Sequence, residues 1–219
     1  MFIDEIFLPR IDYTKIVRNG LDDNAVLAAR YVRDLPYDRD ETARPKSLAD
    51  ELKLIQQQKR GTCSGKHYLL GRILEREGFP VVYLTYPFLW ADIYVDYPQK
   101  LAKLAKKMPP QNHLALGSLR DAQNPTDVKP LDVSWDPLLS YMGFPVASLI
   151  YTPDQPPQTS FAVLPLDEPK LHYSAQERWQ HMSEVRDKIP KNDVVPLFYN
   201  LLFLWLRSVR MDRKEMVHL

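Results

Sequence analysis

The order of hydrophobic patterns along the chain predicts an α+β fold with a mainly antiparallel sheet. Three observations carry this expectation. Helical periodicity dominates up to Gly78 and returns from Ser174 onward. Segments with strand-like alternation cluster between them, interrupted by one lysine-rich helix. The regular strand–helix–strand repeat of a parallel sheet is missing from the pattern. The 219 residues, 45% hydrophobic and 26% charged, suit one domain able to bury its own core. We read residues 1–219 as that single domain, its core spanning about 47–165, with an N-terminal helical arm and C-terminal helices.

Residues 1–20 carry mixed signals and read as the arm. Val26, Leu27, Ala29, Tyr31 and Val32 recur at helical spacing, so a helix is expected over 22–35. Asp22 or Asp23 would cap it and Pro36 would end it. The polar run YDRDETARPK reads as a loop. Ser47 opens the next helix, SLADELKLIQQQK, with Leu48, Leu52 and Leu54 as apolar positions. Gly61 and Thr62 break the pattern, and CSGKHYLLGRILEREGF resumes it with Tyr68, Leu69, Ile73 and Leu74 as the buried stripe. Gly78 closes that helix in the left-handed conformation.

PVVYLTYPF, rich in β-branched and aromatic residues, reads as a strand. DYPQKLAKLAKKMPP reads as a helix stopped by its double proline. In NHLALGSL, His113, Ala115 and Gly117 alternate with Leu114 and Leu116, which is strand periodicity. PLDVSW is expected to be a strand with Leu131 and Val133 on one side and Asp132 and Ser134 on the other. ASLIYT and SFAVLPL read as strands joined by the loop PDQPPQ. Helices are expected around 174–188 and 192–210. The second is apolar nearly all round between Leu201 and Leu206, which places it in the core or in a homodimer interface.

Charge and motif content exclude several classes. With 29 basic and 28 acidic side chains the net charge is +1, which sets up no broad field for nucleic acid. Lys100, Lys103, Lys106 and Lys107 follow helical spacing without interleaved aromatics and read as a solvated face. One cysteine rules out an intrachain disulfide framework and a multi-thiolate zinc site. Neither a glycine-rich nucleotide loop nor an H-E-x-x-H helix occurs, so no cofactor and no metal are expected. MFIDEIFLPRIDY lacks the basic start and apolar core of a signal peptide. VVPLFYNLLFLWL is interrupted by Asn200 and falls short of the roughly 18–20 apolar residues a bilayer demands. A cytoplasmic protein with no membrane partner is expected.

The chemistry points to Cys63. A thiol is nucleophilic as thiolate, and its ordinary pKa of about 8.5 leaves it protonated at neutral pH. A helix start stabilises negative charge through unpaired N–H groups, and a histidine does so by pairing with the thiolate. Cys63 has the first by position, with Gly61, Ser64 and Gly65 leaving room for an acyl group. His113 and Asp132, on adjacent expected strands, supply a base and the carboxylate that orients it. A free cysteine also serves as a small buried hydrophobe, and that alternative stands beside the catalytic one. His67, one turn after Cys63, reads as a metal partner or an alternative base; packing beside the nucleophile or facing solvent is the commoner role. Lys66 is expected in solvent. His172, His181 and His218 read as structural or exposed. Tyr83, Tyr86, Trp90, Tyr94 and Tyr97 read as core and rim rather than a groove lining.

RGTCSGKHYLLGRILEREGFPVVYL, NHLALG and LDVSWDP together resemble the core of the transglutaminase-like superfamily, within the papain-like cysteine enzymes. The resemblance covers roughly 52–137. It joins a G-x-C-x-x-x-x-x-L-L pattern at Gly61, Cys63, Leu69 and Leu70 to a D-x-[ST]-W pattern at Asp132, Ser134 and Trp135. It implies a nucleophile helix packed on a mainly antiparallel sheet with flanking helices. It also implies a Cys63–His113–Asp132 triad and an amide or ester hydrolase or acyl transferase. Asp136 rivals Asp132 by strand alternation, and the motif favours Asp132. Papain-like enzymes often take an oxyanion donor from a glutamine shortly before the cysteine, and Gln57 is the first choice among Gln56, Gln57 and Gln58. His113 is followed by Leu114 and Ala115, where members often carry an aromatic, and calcium-binding features are not visible. Peptidase or amidase chemistry on a peptide, protein or small amide or ester is therefore expected ahead of protein crosslinking. The alternative is an inactive module that binds a peptide or protein partner.

Overall fold

The structure, a computed structural model, describes residues 21–39, 45–118, 130–147, 162–188 and 193–216. The elements are helices α1 (Leu21–Asp34), α2 (Leu48–Gln58) and α3 (Cys63–Arg76), strand β1 (Val81–Phe88), helix α4 (Gln99–Ala105), strands β2 (Gln111–Ser118) and β3 (Lys170–His172), and helices α5 (Ala175–Lys188) and α6 (Val194–Met216). The expected N-terminal arm, most of ASLIYT and the loop PDQPPQ lie outside the described residues, as does His218. The architecture is α+β: helices around a small antiparallel sheet in the order β2-β1-β3.

β1 is central because its side chains are apolar on both faces. Val82, Tyr83 and Leu84 are fully buried. It pairs with β2 from Val81↔Ser118 to Phe88↔Gln111 and with β3 from Tyr83↔His172 to Thr85↔Lys170. On one face Tyr83, Leu114 and Leu116 meet Leu69, Ile73 and Leu74 of α3 and Ala29 and Val32 of α1. Val82, Leu84, Tyr86 and Ala115 form a smaller cluster with Leu171. A third cluster gathers Trp90, Trp135 and Phe144 with Phe198, Leu202, Phe203 and Leu206 of α6. Cys63 touches the two large clusters, so α3 begins at their seam. A Cβ at Gly71 would overlap the Tyr83 hydroxyl, so glycine there lets α3 lie close on β1.

The turn that aims α3 is built locally. Ser47 caps α2 by accepting the Asp50 N–H at 3.1 Å. Lys59 ends α2 in the left-handed conformation (φ 52°, ψ 36°), a strain of roughly 1–2 kcal/mol for a residue with a Cβ. The chain then returns past α1: Gly61 N–H donates to Pro36 O at 3.0 Å, and Asp38 N–H to Gly61 O at 3.3 Å. Buried Arg178 fastens α5 to β1 through the Thr85 hydroxyl and to α3 through Ser64 and Tyr68.

Two expected strands are corrected. PLDVSW forms a single bridge, Leu131↔Leu116, rather than a strand. The reason is visible beyond the bridge: Val133 and Ser134 give their N–H groups to the side chains of His67 and Asp132, which leaves no ladder. SFAVLPL, described from Ala162, likewise makes only the Phe88↔Pro165 bridge. Short β3 was not read from the sequence. The four clustered lysines around α4 are exposed, as expected. α6 buries one side, while Leu197, Leu204 and Met211 face outward. Over Val194–Met211 it is long and apolar enough to cross a bilayer by length and composition, a test that core helices of soluble proteins also pass.

Candidate active site

The site is assembled along the free edge of β2. Leu116 turns its backbone polar groups away from β1 and exchanges hydrogen bonds with Leu131 (3.0 and 2.6 Å). Leu114, two residues earlier, faces the same way, and there the sulfur of Cys63 takes the place of a strand. Leu114 N–H donates to Sγ at 3.3 Å, and the carbonyl of Leu114 lies equally close. As a residue, Cys63 is half-buried.

His113 precedes Leu114, so the edge that seats the sulfur also carries this imidazole. Its Nδ1 lies 3.4 Å from Sγ and its Nε2 lies 2.6 Å from Asp132 Oδ2. Phe88 packs edge-on to the ring, centroids 5.9 Å apart, and fixes its plane. Asp132, fully buried, accepts three donors: His113, Ser134 N–H at 2.9 Å and Ala162 N–H at 3.1 Å. A carboxylate so satisfied stays ionised without water.

The charges follow from this packing. Burial pushes the Cys63 thiol up, but the charge and hydrogen bond of His113, with a hydrogen bond from His67, outweigh it and hold the thiol well below its ordinary range. Burial pulls His113 down, yet the anions of Cys63 and Asp132 raise it well above an ordinary imidazole. Burial pushes Asp132 up, while the charge and hydrogen bond of His113 hold it far below the carboxylate range. The arrangement favours a thiolate–imidazolium pair.

Cys63 is the first residue of its helix. Thr62, the N-cap residue, makes no side-chain cap, and the first helical N–H groups have no carbonyl one turn back. The positive end of the helix dipole therefore lies at the start of α3, where Cys63 sits.

Cys63, His113 and Asp132 thus come together. Gln57 does not join them: it is exposed on α2, outside this network. Of the three glutamines, Gln56 carries a buried Nε2 without a partner among the described residues. Asp136, the rival carboxylate, accepts from Tyr37 N–H at 2.8 Å and Arg210 Nη2 at 2.7 Å, anchoring α6 instead. His67 packs beside the nucleophile. Lys66 is the clear correction: it is fully buried, its Nζ donating to the carbonyls of Arg33, Leu35 and Ser134 at 2.8–2.9 Å. Burial lowers it to about 7, against the pull of Asp136 and Asp132. It spans α1 and the Asp132 segment, where a solvated side chain was expected. No local signal marks it: α3 is buried from Gly65 through Gly71, a run that includes Lys66 and His67, and the carbonyls that hold Lys66 come from other segments. A contribution from α6 also went unread: Tyr199 donates to Gln111 Oε1 and accepts from Trp90 Nε1, each at 3.3 Å, near the start of β2.

Compared with known proteins, the chain matches no family model, no curated sequence and no solved structure.

Proposed function

We propose that this chain is a thiol-dependent amide or ester hydrolase, or acyl transferase, of transglutaminase-like type, using Cys63 as nucleophile, His113 as acid–base and Asp132 to orient His113. One observation carries the reading: a continuous chain of contacts from the Cys63 sulfur through one imidazole to a buried carboxylate, at 3.4 and 2.6 Å. Each link matches what the chemistry needs, and the resemblance of the flanking motifs agrees with it.

In this reading the Cys63 thiolate attacks the substrate carbonyl carbon, and the C=O electrons move onto oxygen. The N–H of Cys63 at the uncapped start of α3 faces the developing oxyanion. His113 gives its Nδ1 proton to the departing amine or alcohol, leaving a thioester on Cys63. A water, or an amine acceptor, then loses its proton to His113 and releases the acyl group. Asp132 keeps Nε2 protonated throughout, so Nδ1 always faces sulfur. The proposed substrate is a peptide, a protein or a small amide or ester, handled in the cytoplasm, where a lone thiol stays reduced.

The test uses the whole chain with p-nitrophenyl acetate and with iodoacetamide. We expect an acetyl adduct on Cys63 by mass spectrometry, absent in Cys63→Ser. Alkylation should follow an ionisation well below the free-thiol value of about 8.5. A midpoint at that value with no adduct would overturn the proposal and favour the non-catalytic binding module.

A further inference from the structure

His67 lies fully buried beside the nucleophile, and both of its ring nitrogens are committed. Val133 N–H donates to Nε2 at 3.0 Å. A nitrogen that accepts a hydrogen bond carries no proton, so in the neutral ring the proton sits on Nδ1. Nδ1 lies 2.8 Å from the Cys63 carbonyl oxygen and 3.8 Å from its sulfur. One tautomer satisfies all of these contacts. The opposite tautomer would set two N–H groups against each other at Val133 and leave Nδ1 facing a carbonyl lone pair. The two histidines around Cys63 are therefore unlike. His113 presents to sulfur a nitrogen that can take and return a proton, whereas His67 presents one that is already occupied.

We infer that His67 is a positioning residue: a neutral imidazole locked by Val133 with its proton on Nδ1, donating to the carbonyl and sulfur of Cys63 and holding the thiolate for His113. The inference rests on the reading of Cys63 as nucleophile and adds to it a second, non-basic histidine. The ring also couples the two halves of the site. Cys63 opens α3, while Val133 follows the orienting Asp132, whose Oδ1 lies 3.6 Å from Nε2. Fixing one ring between them sets the distance that His113 must span. His113 on β2, Lys66 on α3, Tyr37 before α2 and Tyr199 on α6 also feel the charge of Cys63, and each is kept unchanged in the test.

Two substitutions separate the ring's two contacts. In His67→Asn the amide nitrogen falls where Nδ1 was, retaining the donor to Cys63 and losing the acceptor for Val133. In His67→Gln the amide oxygen falls where Nε2 was, retaining the acceptor and losing the donor. The whole chain and both variants are alkylated with iodoacetamide from pH 4 to 9, with circular dichroism as a check on folding. We expect His67→Asn to keep the wild-type midpoint and His67→Gln to raise it by roughly one pH unit, the effect of losing one hydrogen bond to the anion. A wild-type midpoint in His67→Gln, or equal shifts in both variants, overturns the inference. The wild-type chain gives a second measurement that needs no variant to fold. Nitrogen-15 spectra at pH 7 should show the proton of His67 on Nδ1, and a proton on Nε2 overturns the inference. A free-thiol midpoint in the wild type defeats the nucleophile reading, while those spectra still decide the state of His67.

Discussion

Each flank of β1 carries a buried histidine, and the two have opposite character. His113 on β2 stands across from Tyr86, and His172 on β3 stands across from Tyr83; they are 2% and 1% exposed. Both rings are thus closed off from solvent, and burial tends to strip the proton from each. His113 lies between a sulfur and a carboxylate and is raised. Neither ring nitrogen of His172 has a hydrogen-bond partner among the described residues, and Glu177 stays 3.7 Å away. Burial, and then the neighbouring His181, lower it to about 4. Lys66 falls between them, with three carbonyl dipoles but no anion in contact, lowered to about 7. Burial alone therefore does not set the charge of a buried ring. The anions placed against it do.

The largest effect should come from removing the anion behind His113. Asp132→Asn keeps the shape but lets the ring turn its proton toward sulfur, and acyl-transfer rate should fall roughly 10³–10⁴-fold. The alkylation midpoint of Cys63 should rise with it. Ester turnover within tenfold of wild type would break the comparison, because it would mean that burial and Cys63 suffice.

Next comes Lys66→Met, which leaves three buried carbonyls without donors and should cost roughly 3 kcal/mol in chemical denaturation. The pH dependence gives a second signature. Unfolded lysine binds a proton up to about 10.4, while the folded side chain releases it above about 7, so this group makes stability rise with pH between those values. In Lys66→Met that rise should disappear.

His172→Leu should act more weakly and at the acid side. The folded ring resists its proton down to about 4 and the unfolded ring takes it near 6.5, so stability falls as pH drops through that window. The variant should flatten the loss. His113 has the opposite sign: the folded ring holds its proton above 6.5, so its contribution is full below that pH and fades as pH rises. Thermal melts of His172→Leu from pH 4 to 7 check the first statement, and a steeper acid loss in the variant would contradict it.

The parts of this picture that were legible in the sequence are those with local causes. β1 announced itself by its β-branched and aromatic residues, β2 by alternation and α3 by its period and glycine boundary, and the motifs on those elements singled out Cys63, His113 and Asp132, which the fold brings together. The Asp132 segment was misread because alternation reports which side chains are buried, not where the backbone N–H groups go; here they go to Asp132 and His67. β3 spans only Lys170–His172, too short for a period. Lys66 was misread because lysine is rarely buried, and its partners come from α1 and Ser134, distant in sequence. The grip of α6 likewise depends on long-range pairs: Arg207 with Asp38 and Arg210 with Asp136.

The smallest effect belongs to Ser134→Ala, and its size tests the comparison at its finest point. The Ser134 hydroxyl lies 3.4 Å from His113 Nε2, against 2.6 Å for the Asp132 carboxylate. It is a neutral dipole at longer range, and the same N–H is already taken by an anion. The residue is anchored through its backbone, N–H to Asp132 Oδ1 and carbonyl to Lys66, and both contacts survive in alanine. If charge rather than polarity raises His113, the variant should keep the Cys63 midpoint within about 0.3 pH unit and turnover within roughly threefold, the loss of one weak hydrogen bond. A shift of a full unit would mean that the hydroxyl holds the ring as firmly as the carboxylate does, and the contrast between His113 and His172 would then rest on hydrogen bonding instead of on anions.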